Sequence, residues 1–129
     1  MNEKRTDLAS EARDLWRESA CGQDLPDGVT ADTETENGYT VETLRILDER
    51  GAEALGKPAG TYITVELGAL LGKEEGAFAR GAELLASRLR SLLGTDRNAD
   101  VLVAGLGNSA ITPDDLGPRS ADHVLATRH

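Results

Sequence analysis

Between Gly105 and Pro118 the chain reads Gly-Leu-Gly-Asn-Ser-Ala-Ile-Thr-Pro-Asp-Asp-Leu-Gly-Pro, its densest run of residues that could do chemistry. Gly105 to Ala110 fits the pattern G-x-G-x-x-A, in which glycines let a backbone approach a pyrophosphate at a helix N-terminus. That chemistry needs a helix running on from Asn108, and Pro113 interrupts it by removing a backbone donor and crowding the preceding turn. The ribose-binding acid expected about 20 residues further on has no second strand to sit on. Nucleotide binding is therefore set aside, and no cofactor is expected. Asp114 and Asp115 stand where a helix begins, and capping of free backbone donors suits either. Neighbours in sequence need not face each other, so a proton-sharing pair of carboxylates would take its second member from elsewhere. Metal binding by carboxylate and histidine is not favoured: His123 lies nine residues beyond Asp114, about 13 Å along a continuous helix, and His129 is farther.

Elements must hold this loop in place. Val101-Leu-Val-Ala104 is a continuous apolar run ending in Gly-Leu-Gly-Asn, the pattern of a buried strand leaving a sheet at its carboxyl end. A helix is expected after Pro113, with Leu116, Ala121, Val124 and Leu125 as its apolar positions as far as the terminus. Upstream, residues 73–93 place Phe78, Ala82, Leu85, Leu89 and Leu92 at 4, 3, 4, 3 spacing, a stripe suited to covering a sheet face, with Gly94 as the stop. Gly76 and Gly81 weaken that helix unless a neighbour packs closely there. Residues 39–47 and 60–67 read as strands, the second with Tyr62, Thr64 and Glu66 on one face and Ile63, Val65 and Leu67 on the other. Ala52 to Leu55 forms one helical turn ended by Gly56 and Pro58, and residues 6–19 form an amphipathic helix on Leu8, Ala12, Leu15 and Trp16, capped by Thr6 or Asp7. Gln23 to Gly38 carries five acids and no Lys or Arg, and reads as a solvated loop. The alternation of helix and strand implies an α/β sandwich whose strands are covered on both faces.

The 129 residues suit one compact domain with an aliphatic core, because aromatic residues make up only 3%. A net charge of −9 argues against direct nucleic-acid binding, which needs a basic face. The acidic excess belongs to the front: residues 1–49 hold 5 Lys/Arg against 13 Asp/Glu, and residues 50–129 hold 9 against 10. Cys21 is the only cysteine, which removes any intrachain disulfide or multi-thiolate metal site and fits a reducing compartment. The charged start lacks an apolar leader core and no apolar stretch approaches about 18 residues, so the reading is a soluble, unexported protein with no membrane partner.

The run Gly105 to Arg119, followed by Asp122-His-Val-Leu-Ala-Thr-Arg-His129, resembles the motif of the spore germination proteases, atypical aspartic endopeptidases. Arg5-Thr-Asp-Leu-Ala-Ser-Glu-Ala12 and Gly51-Ala-Glu-Ala-Leu-Gly-Lys-Pro-Ala-Gly-Thr-Tyr-Ile-Thr-Val-Glu66 resemble the same family in the same order, so the likeness spans essentially the whole chain. The resemblance implies an endopeptidase that degrades small acid-soluble spore proteins during germination, in the spore core, as a homotetramer. It implies a three-layer α/β sandwich of the phosphorylase/hydrolase-like kind, similar to hydrogenase maturation proteases and incomplete in this chain.

Through Thr-Pro-Asp-x-Leu-Gly-Pro, Asp114 matches the first of the family's two catalytic aspartates, and Gly105, Gly107, Asn108, Thr112, Pro113 and Gly117 match the surrounding loop. Two carboxylates held close cannot both ionise, so one activates water while the other protonates the scissile carbonyl. The second aspartate follows a later strand in the family, and this chain reads as an N-terminal half that ends before it. The last helix has no Gly or Asn stop, and so few strands would leave an exposed edge, which agrees with truncation. Arg5-Thr-Asp-Leu-Ala9 resembles the family's self-processing site, implying a prosegment over residues 1–7 cut between Asp7 and Leu8. A non-catalytic half-domain that binds the same proteins and a metal-dependent maturation-type protease are the alternatives.

Overall fold

The computed structural model describes residues 8–20, 25–94 and 100–125. The chain divides into two compact units, residues 1–95 and residues 96–129, where the sequence suggested one domain.

The first unit is α/β and is built on a three-stranded antiparallel sheet in the order β1-β2-β3: β1 Val29–Glu36, β2 Tyr39–Ile46 and β3 Gly60–Val65. Helices α1 Ala9–Ala20, α2 Glu49–Leu55, α3 Gly68–Leu71 and α4 Ala77–Leu93 surround it. The strands expected over 39–47 and 60–67 are present. The loop expected over residues 23–38 is not, because half of it, Val29–Glu36, is β1. Its five acids point to a solvated face, but Asn37 and Gly38 both take positive φ, 54° and 82°. That two-residue turn matches the twist of a β-hairpin and pairs Glu36 with Tyr39.

Side-chain alternation along β2 divides the core in two. Leu44 and Ile46 join Ala9, Val29 and Leu55 in a buried cluster against α1 and α2, backed by Trp16, Ala52 and Tyr62. Tyr39 and Val41 join Ala69, Ala77 and Leu84 in a second cluster against α3 and α4, backed by Ile63 and Val65. The two faces read for β3 are thus the faces observed, and the sheet carries helices on both. Ion pairs repeat the division: Arg13 of α1 pairs with Glu42, and Arg88 of α4 pairs with Glu36 and, at 2.8 Å, with Glu34. Burial works against the Arg88 charge, yet Glu34 and Glu36 outweigh it and raise the guanidinium above its usual range.

Helix α4 turns a different face to the sheet from the one its apolar spacing suggested. Ala77 and Leu84 are buried. A Cβ at Gly81 would meet the Tyr39 hydroxyl at 2.9 Å, so this glycine lets the ring pass while its oxygen donates to the Ala77 carbonyl at 2.7 Å. Phe78, Leu85, Leu89 and Leu92 point away, Phe78 being 78% exposed. A regular apolar stripe reports that a face can be buried, and here the sheet is covered by the neighbouring one because Gly81 allows closer approach. Gly76 owes its identity to a φ of 69° at the helix start.

Asp48 starts α2 by accepting the Gly51 amide at 3.0 Å. That bond, followed by the Arg50 guanidinium, lowers its carboxyl below the ordinary 3.8. A lowered folded value means the stabilisation is complete above 3.8 and disappears as pH falls through the folded value. Asp48→Ala is expected to lower the melting temperature at pH 7, and a pH series of thermal melts should show the gap to wild type closing below about pH 4.

Candidate active site

The second unit holds one short helix, α5 Leu116–Asp122, preceded by a single 3-10 turn over Thr112–Asp114. The strand expected over residues 101–104 does not form: Val101, Leu102 and Val103 are 58%, 94% and 50% exposed and lie in irregular backbone. A continuous apolar run becomes a strand only with hydrogen-bonded neighbours and covering layers, and the strand pairs formed by the described residues all lie within β1 to β3. The helix expected from Pro113 to the terminus ends at Asp122; residues 126–129, with His129, lie outside the described residues.

The loop is nonetheless tightly built, because its glycines bring two stretches of backbone together. A Cβ at Gly117 would lie 2.0 Å from the Leu106 carbonyl oxygen, and one at Gly105 would lie 2.2 Å from the Gly117 carbonyl oxygen. At Gly107, φ is 142° and a Cβ would lie 2.0 Å from the Asp114 carbonyl oxygen. No other residue type fits these three positions without moving the chain. Residues 105–107 are thereby laid along residues 114–117, and Asn108 is delivered to Asp114.

At that junction the Asn108 amide donates to Asp114 Oδ2 at 2.8 Å and to the Asp114 carbonyl at 3.1 Å. The Asn108 side-chain oxygen accepts the Ala110 amide at 3.0 Å, and the Asn108 carbonyl accepts the Ile111 amide at 3.0 Å. Thr112 and Pro113 open the 3-10 turn, where a proline forfeits no needed donor, and the Asp114 amide returns to the Ile111 carbonyl at 2.8 Å. The Asp114 carboxylate is thus fixed at one oxygen on an exposed turn.

Asp115 points the other way. It is 9% exposed, and its Oδ2 accepts from Arg119 Nε at 2.5 Å, one helical turn along α5. Neither aspartate caps α5 through its side chain, contrary to the capping expectation, and the two carboxylates take different partners. The i, i+4 spacing of Asp115 and Arg119 was the available signal for this pair. His123 donates from Nδ1 to the Arg119 carbonyl at 2.7 Å. Among the described residues, no three His, Cys, Asp or Glu side chains gather in a group that could hold a metal ion. No helix among them is long and apolar enough to cross a membrane. Leu8 lies just before α1 and is half-exposed, while Asp7 and Cys21 fall outside the described residues.

The loop and its upstream matches coincide with a protein family. The family model for germination proteases matches residues 7–129, so the chain belongs to the germination protease family. Among curated relatives, the germination protease of Caldanaerobacter subterraneus subsp. tengcongensis is 44% identical over 125 residues, covering 97% of this chain and 37% of the relative. Those of Bacillus licheniformis and Priestia megaterium are 38% and 37% identical, each covering 97% of this chain and 35% of the relative. The chain therefore spans little more than a third of the length of these relatives.

If the glycine contacts hold the loop, Gly117→Ala should lower hydrogen-exchange protection of the Asn108 and Ile111 amides about tenfold or more, equivalent to about 1.4 kcal/mol. Gly68→Ala, where a Cβ meets nothing within 4 Å, should leave both unchanged.

Proposed function

We propose that this chain supplies the first catalytic aspartate, Asp114, of an endopeptidase that degrades small acid-soluble spore proteins during germination. The observation that carries the reading is the placement of Asp114: an exposed carboxylate, held at one oxygen, on a turn that three glycines nest against the preceding backbone, inside a motif resembling that of the family. Asp115 is turned inward and paired, which leaves Asp114 as the carboxylate of the two that can meet substrate. The partner aspartate comes from outside the described residues. Together the two share one proton, so that one draws a proton from water while the other protonates the scissile carbonyl oxygen.

The working protein on this reading is a homotetramer in the spore core, with the fold of a hydrogenase maturation protease. Residues 1–7 form a prosegment removed by cleavage between Asp7 and Leu8. Leu8, the residue that would follow the cut, is half-exposed just before α1.

The test uses a full-length protease in which this chain replaces the matched 125 residues of the Caldanaerobacter relative. Asp114→Asn should lower kcat on a small acid-soluble spore protein on the order of 10³-fold or more, with KM little changed. Retention of a substantial part of the activity would assign the chemistry elsewhere. N-terminal sequencing after incubation at mildly acid pH should find a new terminus at Leu8 in the parent protein and none in Asp114→Asn; an active parent with an intact N-terminus would remove the prosegment.

A further inference from the structure

We propose that the side chain of Asn108 is a positioning residue for the Asp114 carboxylate. The inference rests on the reading of Asp114 as the chemical group, but its geometry can be tested without activity.

Residue 108 is the point through which the loop is tied. Its amide is shared between Asp114 Oδ2 and the Asp114 carbonyl, its carbonyl takes the Ile111 amide, and the Ile111 carbonyl takes the Asp114 amide. The amide can point at Asp114 only if the peptide planes on both sides of residue 108 are held. On the preceding side Gly107, at φ 142°, sets the direction of approach. On the following side the Asn108 side-chain oxygen holds the Ala110 amide at 3.0 Å, closing a turn two residues long. Asn108 is exposed, so core packing does not account for its identity. An alanine would keep the amide that touches Asp114 and lose only the side-chain tie that aims it. The consequence for chemistry is a division of labour within one carboxylate: Oδ2 is held by the loop, and Oδ1 is left to face substrate and water. An N–H···O⁻ bond of this kind is charge-assisted and sensitive to small changes of direction.

The measurement is an NMR titration of the 129-residue chain between about pH 3 and 7, following the residue-108 amide proton and the Asp114 side-chain carbon together across the carboxyl range. In the wild type the amide should move with the same midpoint as the Asp114 carboxyl group, and Asp114→Asn should abolish that movement. Asn108→Ala should lose most of it, whereas Asn108→Ser, whose hydroxyl closes the same turn more weakly, should recover part. An unaltered movement in Asn108→Ala overturns the proposal. So does a wild-type amide that does not follow Asp114, whether or not any variant folds. The protease reading fails separately, through an Asp114→Asn enzyme that still cleaves.

Discussion

Backbone packed directly on backbone is the constraint on which the second unit depends. The stretch 105–107 can lie along 114–117 only where no side chain intervenes, and Gly105, Gly107 and Gly117 remove the three Cβ atoms that would stand between them. The contact makes Asn108 and Asp114 neighbours across six residues of chain, and the remaining hydrogen bonds of the loop follow from that. It also settles the division between the two aspartates. Once the Asp114 carbonyl is seated over Gly107, its carboxylate faces the Asn108 amide, and the next residue turns inward to meet Arg119.

The first unit obeys a different constraint, the two-sidedness of β2. Residues of opposite parity on that strand are buried on opposite faces, so helices are needed on both. Charge follows the same geometry. Glu42 is largely buried and would be costly without a partner, and Arg13 reaches it from α1, while Arg88 reaches the more exposed Glu34 and Glu36 from α4. The acidic character of the N-terminal part is in this way partly structural, since some of its acids fasten helices to the sheet. The exposed apolar face of α4 has no such account within the described residues.

Where the residues themselves impose a local conformation, sequence reasoning and structure agree. Gly56 and Gly94 adopt the positive φ that suits the helix ends read for them, and β3 shows the alternation read from it. Gly81 in mid-helix meant close approach, and Tyr39 is the group that approaches. The misses came where a pattern was compatible with two environments. The acids and threonines of residues 29–36 suit a loop and an edge strand equally, and only the turn at Asn37-Gly38 distinguishes them. The 4, 3, 4, 3 stripe of α4 and the run Val101–Ala104 state that burial is possible without stating what would bury them.

By itself the sequence determined the family and the position of the loop, because these rest on residue types at fixed spacing. Tertiary structure alone decided which face of α4 meets the sheet, that the acidic stretch is a strand, and that Asp114 is held by the Asn108 amide. The physical reason is one of range. Backbone preference and spacing are local properties and can be read from neighbours in the chain, whereas burial and the direction of a hydrogen bond depend on which distant atoms arrive, and close packing at glycine decides that.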